Sequence, residues 1–174
     1  MCRYVEMQSI NLIMHQINGK PVIFRENGLF ISAHFEGGNQ VGRVKSHDKG
    51  DGTVLLGEVE VDERVEIREG RLARFIRRFH ADWGVVFPRK QKIGTELLKR
   101  FMQVCERGGV REVYGNVTLE ADRSQPFLRG WYESFGFVVS PLDGRDEGWF
   151  PVKYKVIWKR REDHVPDVDE SHPL

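Results

Sequence analysis

The stretch Val85–Phe101, VVFPRKQKIGTELLKRF, decides how this chain is read. A short apolar run, a proline stop and a basic turn lead into an amphipathic pattern. From Gly94 onward Leu97, Leu98, Phe101, Met102 and Cys105 recur at helical spacing, while Glu96, Lys99, Arg100 and Glu106 fall on the other side. Gly108-Gly109 supplies the stop, and Cys105 reads as a small core residue. The first turn of a helix carries N–H groups without intrahelical partners, and the macrodipole adds roughly half a positive charge there. Strand, basic turn and helix amino-terminus therefore make a recipe for holding an anion. The amides around Ile93, Gly94, Thr95 and Glu96, with Arg89, Lys90 and Lys92 beside them, suit a pyrophosphate. Loops that cradle phosphates usually carry two or three glycines, and this one has Gly94 alone. The competing reading is a solvated basic turn in front of an ordinary helix.

Working outward, 174 residues with 40% hydrophobic and 30% charged side chains suffice for one domain, expected over 1–160 with an acidic tail at 161–174. A net charge of +1 gives no global attraction to nucleic acid or membrane. Two cysteines, Cys2 and Cys105, build no disulfide framework and fit a reducing compartment. No apolar run approaches the roughly 20 residues of a membrane span. MCRYVEMQS lacks a signal-peptide pattern, so a cytoplasmic protein is expected.

The first third reads as a meander of four or five strands, with residues 1–16 open between strand and helix. Asn18-Gly19 and Asn27-Gly28 are hairpin signals between PVIF, LFISAHF and VGRVK. In TVLLGEVEV, Val54, Leu56, Val59 and Val61 alternate only in part. Leu72, Phe75, Ile76 and Phe79 predict a short helix over 70–81, followed by WGVVF as a short buried strand. Beyond the main helix, VREVYGNVTLE reads as a strand. SQPFLRGWYESFG reads as a short helix capped by Ser124 with Pro126 in its first turn. FVVS and FPVKYKVIWKR close the pattern as a hairpin. In the latter Val152, Tyr154, Val156 and Trp158 alternate with Lys153, Lys155, Ile157 and Lys159.

Two motifs carry a resemblance. Arg89-Lys90-Gln91-Lys92-Ile93-Gly94 resembles the acetyl-CoA loop of the GNAT superfamily of N-acetyltransferases, Arg/Gln-x-x-Gly-x-Gly/Ala, matching its first and last positions. Trp131–Phe137, WYESFGF, is similar to that family's aromatic-Tyr-Glu-x-x-Gly-Phe signature. The order of elements between them also agrees, over about residues 83–160. The resemblance implies an α/β (α+β) fold: a mixed, mostly antiparallel central sheet with flanking helices. Here a hairpin-rich amino-terminal part replaces the one or two helices the family usually places after its first strand.

The resemblance also implies direct transfer from acetyl-CoA to an amine acceptor, a small molecule or a protein, with Tyr132 as general acid. Backbone groups near Val86 and Phe87 would pair with the pantetheine arm. Arg89, Lys90, Gln91, Lys92, Ile93, Gly94 and Thr95 would hold the pyrophosphate, and Gln125 stands where the family often has Asn. For the general base, Glu58 and Glu60 share one face of a strand, with His80 and Asp82 as further candidates. Whether WGVVF or LLGEVEV leads into the loop, with 63–82 as an insertion, is open at this point.

The six histidines have no metal-ligand spacing, and neither a Gly-x-Ser-x-Gly elbow nor Gly-Lys-Ser/Thr is present, so no metal is expected. Two rival readings stand beside the transferase. One is a non-catalytic acyl-CoA-binding module of the same fold. The other is a nucleic-acid-binding domain built on Arg71, Arg74, Arg77 and Arg78, with Trp83 and Trp131 as stacking platforms. A homodimer through the last strand is open, although its lysines discourage edge pairing.

Overall fold

Before the long helix, five strands run as antiparallel neighbours: β1 (Leu12–Ile17), β2 (Lys20–Asn27), β3 (Phe30–Phe35), β4 (Gln40–Asp48) and β5 (Thr53–Val61). The computed structural model describes residues 12–17, 20–36, 38–66, 85–86, 88, 91–142 and 151–160. The second hairpin turns one residue later than the Asn-Gly pair suggests. Asn27 pairs with Phe30, so Gly28 and Leu29 form the loop, and Gly28 takes φ 57 while Leu29 stays at negative φ, the pattern of a II′ turn. Asn18-Gly19 lies outside the described residues; on either side of it Ile17 pairs with Lys20.

After β6 (Val65–Glu66) and β7 (Val85–Val86) come α1 (Ile93–Arg107), β8 (Glu112–Thr118), α2 (Leu119–Ser124), α3 (Leu128–Glu133), β9 (Val138–Pro141) and β10 (Val152–Lys159). The main sheet has eight strands in the order β1-β2-β3-β4-β5-β8-β10-β9, all antiparallel except β5 with β8. This is the mixed, mostly antiparallel sheet with flanking helices that was expected.

The partial alternation of β5 has a local cause. Lys45 pairs with Glu58 and Ser46 with Leu56, leaving Gly57 as the extra residue of a β-bulge. The bulge shifts the side-chain phase by one. Val54 and Leu56 before it and Val59 and Val61 after it therefore share the helix side, while Glu58 and Glu60 fall on the other. Into that helix side α1 buries Ile93, Leu97, Leu98, Phe101, Met102 and Cys105. Burial pushes the Cys105 thiol up to about 12, which leaves it an inert core residue. Close approach is possible at Gly42, where a Cβ would lie 2.9 Å from Leu97 Cδ1 and 2.8 Å from the Glu60 carbonyl oxygen. Arg100, expected on the water side of the helix, is instead buried against the sheet, because Phe24, Glu26 and Glu96 satisfy it on three sides. Its guanidinium lies 4.5 Å from the Phe24 ring centre and donates to Glu96 at 3.0 Å and to Glu26 at 3.4 Å. Glu26 also takes Arg107 at 2.8 Å, tying the helix to β2.

The structure answers which run leads into the loop: among the described residues of WGVVF, Val85–Val86 form a two-stranded ladder with β6, so β5 is the main-sheet strand that precedes α1. Hydrophobicity alone did not separate the two runs; the parallel partner β8 does. SQPFLRGWYESFG holds parts of two short helices. Thr118 caps the first by accepting from Ala121 N at 3.1 Å, and Ser124 ends it, donating back to the Ala121 carbonyl. Finally, β10 is paired on both sides, so among the described residues the outer strands of the sheet are β1 and β9 rather than the lysine-rich last strand. The 70–81 helix, the 161–174 tail, and Arg71, Arg74, Arg77, Arg78, His80, Asp82 and Trp83 lie outside the described residues. Among the described residues no helix is long and apolar enough to cross a membrane.

Candidate functional site

Among the described residues the sheet has one parallel junction, and it is also the place where the sheet opens. β5 and β8 pair at Thr53–Glu112, Val54–Val113 and Leu55–Tyr114, and no further. At the next step Gly115 comes so close to β5 that a Cβ there would lie 2.7 Å from the Leu56 carbonyl oxygen. Beyond it β8 remains fully paired with β10, while the β5 edge from Leu56 to Val61 has no partner on this side among the described residues. Ligands of open sheets bind outside the carboxyl ends of parallel strands, at the switch between neighbours.

The amino-terminus of α1 sits at that end. A Cβ on Gly94 would lie 3.4 Å from Val61 Cγ2 and 3.9 Å from Val59 Cγ1, so the first helical turn rests on the last residues of β5. The residue before the helix, Lys92, has φ 59 and ψ 15, and is the one non-glycine at positive φ among the described residues. It occupies the motif's missing-glycine position and adopts the left-handed backbone a glycine would adopt, at a cost of about 1–2 kcal/mol. Its carbonyl accepts from Glu96 N at 3.0 Å, but its side chain caps no amide. Among the described residues nothing accepts from the N–H groups of Ile93, Gly94 and Thr95, and a left-handed residue ahead of a helix creates the kind of concavity that can hold an anion. Gln91 closes the preceding turn by donating to the Pro88 carbonyl at 3.0 Å.

The second motif meets the first here. Trp131 Nε1 on α3 donates to Thr95 Oγ1 in the first turn of α1, at 3.2 Å. Trp131 packs edge-on against Tyr132 and Phe135, with ring centres 4.9 and 5.7 Å apart, and Tyr132 packs against Phe137 at 5.5 Å. Gly136, at φ 82, ends α3 and turns the buried Phe137 back toward Tyr132, which explains the Gly-Phe of the motif. Tyr132 is half-buried. Burial, and then the Glu58 charge, push its phenol up to about 12. Tyr132 and Glu58, far apart in sequence, therefore act on one another.

The two expected carboxylates differ. Glu60 pairs with Arg43 at 2.7 Å and Lys45 at 3.2 Å, and hydrogen bonds from both hold its carboxyl below the usual range. Glu58 pairs with Lys45 alone, at 2.7 Å. Asp62, two residues beyond Glu60 at the mouth of the opening, went unnoticed in the sequence. Burial and then the neighbouring Glu60 raise its carboxyl, against the pull of Arg43. The signal was the simple i, i+2 continuation of the Glu58–Glu60 face. Of the other expected site residues, Val86 lies in the side ladder with β6, and Gln125 forms the carboxyl cap of α2. Phe87, Arg89 and Lys90 lie outside the described residues.

No protein-family model and no curated protein matches the sequence. Solved structures are similar. One is an acetyltransferase of the GNAT family from Staphylococcus aureus Mu50: 16% identity over 75% of this chain and 66% of that one, TM-score 0.49. Another is the PaiA N-acetyltransferase from Thermoplasma acidophilum in complex with coenzyme A: 17% identity over 76% of this chain and 60% of that one, TM-score 0.46. This chain thus spans less than two thirds, or just under, of the length of these two structures.

Proposed function

We propose that this chain is an acetyl-CoA-dependent N-acetyltransferase of the GNAT type, moving the acetyl group directly from the thioester to an amine. One observation carries the reading. Two motifs, joined by the Trp131–Thr95 hydrogen bond across 36 residues, meet where the parallel β5–β8 pair stops pairing. Unpartnered helix amides, a left-handed turn and an open strand edge in one place suit the three parts of the donor: diphosphate, amide-bearing arm and thioester.

In this reading the amides of Ile93, Gly94 and Thr95, with Gln91 and Lys92, hold the diphosphate, and Arg89 and Lys90 add charge. The role expected of Val86 and Phe87 passes to the β5 edge between Leu56 and Val61, because only an unpaired edge offers N–H and C=O groups to the arm. The bulge at Gly57 frees backbone groups at the inner end of that edge, where the thioester oxygen gains charge as the amine attacks. Tyr132, with its phenol held near 12, stays protonated at neutral pH and donates to the departing thiolate. Glu58 accepts the proton lost by the amine through water, and Glu60 is the less available carboxylate because both Arg43 and Lys45 bond it. The C–N bond forms as the C–S bond breaks, one proton moving from Tyr132 to sulfur and one from nitrogen to Glu58.

The test combines a calorimetric titration with acetyl-CoA and an assay of thiol release in the presence of amines. Tyr132→Phe is expected to lower turnover by roughly 100-fold or more while acetyl-CoA affinity stays within about twofold. Unchanged turnover removes Tyr132 from the chemistry. Binding without turnover on any amine leaves the non-catalytic module, and no binding at high micromolar acetyl-CoA overturns the reading.

A further inference from the structure

Lys45 places an amine on a carboxylate of the candidate site. On β4 it stands in register with Glu58 on β5, and its Nζ lies 2.7 Å from Glu58 Oε2 and 3.2 Å from Glu60 Oε2. The neighbour of Glu58 on the side of the parallel junction is Gly57, the bulge. A Cβ there would lie 3.3 Å from the Lys45 carbonyl oxygen and 3.8 Å from Lys45 Cβ, so the lysine stem starts beside the bulge with no side chain between them. Glu58 is also close enough for its charge to act on Tyr132. Amine, carboxylate and phenol thus gather around Gly57 and Glu58, at the inner end of the edge that β8 leaves open. A four-carbon stem on β4 spans more than the roughly 4.8 Å between neighbouring strands, so the amine can cross β5 toward that edge. Lys45 and Glu58 are 45% and 55% exposed, so solvent screens the pair and the lysine can exchange partners. Other described lysines are held elsewhere, Lys153 by Asp122 on α2 and Lys159 by Glu112 on β8.

We propose that this chain acetylates itself on Lys45, whose Nζ, seated on Glu58, is an acceptor amine supplied by the fold. The inference rests on the acetyl-transfer reading and adds a modification site to it. The Lys45 ammonium already donates to Glu58, so its first proton passes to that carboxylate directly and on to solvent. The freed lone pair attacks the thioester carbon. As the C–N bond forms the C–S bond breaks, and Tyr132 gives its proton to the sulfur. The nitrogen's second proton leaves through Glu58 and restores Tyr132. The products are an uncharged amide on Lys45 and free coenzyme A. Acetylation removes the ion pair that Lys45 makes with Glu58 and leaves Glu60 to Arg43. One turnover on the chain itself therefore changes the carboxylate that every later acceptor meets.

The probe is acetyl-CoA deuterated in its acetyl group, mixed with the full chain and no added amine, and followed by intact mass and peptide mapping. One label per chain is expected, on Lys45, at a rate per chain that does not change with chain concentration. Tyr132→Phe is expected to slow labelling of Lys45 by roughly 100-fold, the scale of a lost general acid. Lys45→Arg is expected to abolish the single label. Thermal melts check that both variants are folded. Label scattered over several lysines without preference for Lys45 overturns the proposal. So does labelling that Tyr132→Phe leaves untouched, or a rate per chain that rises with chain concentration. A chain that binds acetyl-CoA in calorimetry and leaves Lys45 unlabelled overturns it as well. Failure to bind acetyl-CoA at all instead overturns the transferase reading beneath it.

Discussion

Replacing Lys92 with glycine tests the cradle at its most unusual point. Lys92 holds φ 59, where a residue with a Cβ loses about 1–2 kcal/mol. Glycine removes that penalty but gives back about 0.5–1 kcal/mol in the entropy of the unfolded chain. Removing a cation from the amino-terminus of α1 contributes about 0.3–1 kcal/mol more at low ionic strength. The balance is a stabilisation of about 1 kcal/mol, which for a chain of this size raises Tm by about 2–4 °C. Lys92→Ala is the control: it removes the same cation but keeps the left-handed strain. Thermal melts followed by circular dichroism, at low and at high salt, separate the two contributions, because salt screens the dipole effect and leaves the backbone effect. The expected order is Gly above Ala at both salt concentrations, with acetyl-CoA affinity of the glycine variant within a few-fold of wild type. A glycine variant that melts at or below the alanine variant refutes the strain argument, and with it the idea that lysine occupies a glycine's place.

Gly94→Val is expected to abolish acetyl-CoA binding in calorimetry, because its γ-methyls extend past a Cβ that already meets Val61 at 3.4 Å and crowd the first turn of α1; normal binding would reduce the loop to a basic turn. Gly115→Ala places a Cβ against the Leu56 carbonyl and is expected to cost about 1–3 kcal/mol in urea unfolding, with no loss pointing to strands that separate freely at the junction. His34 titrates below its ordinary value, chiefly through burial and with help from Arg25, while the Gly38 carbonyl pulls the other way. Between that lowered value and about 6.5 the unfolded ring binds more protons than the folded one, so stability is complete above pH 6.5 and falls as pH drops through the window. Urea midpoints from pH 7.5 downward should show that slope, and His34→Gln should flatten it.

Much of the fold around the candidate site was legible because its signals are local. The stripe from Leu97 to Cys105 specifies one buried face whatever lies beneath it, and α1 follows it closely. Lys92 was recognisable as the place where a glycine is expected, and its backbone is the one a glycine would take. What escaped was decided at a distance. Nothing in TVLLGEVEV or WGVVF says which lies beside β8, since both are short apolar runs and the choice rests on pairing with residues far along the chain. The bulge at Gly57 disguised β5 as an irregular strand, because phase is restored only once β4 is alongside. Thr118 and Ser124 are equally good caps on paper. The preference for Thr118 follows from where β8 runs out of partners on β10. Asp62 was overlooked because its interest comes from burial and from Glu60, not from residue type.

The contact between Gly94 and the end of β5 has a consequence for how such a chain can change. Val61 and Gly94 are 33 residues apart, yet a Cβ on Gly94 would lie 3.4 Å from Val61 Cγ2, so the two ends of the intervening chain are neighbours. Closing a loop whose ends already meet costs only about 0.6 kcal/mol for each doubling of its length. Segments can therefore be lengthened, trimmed or exchanged between Glu66 and Val85, which pair with one another, while the cradle, the helix and the opening stay in place. The hinge of variation lies at the rim of the chemistry, where new sequence alters what reaches the site before it disturbs what holds it together.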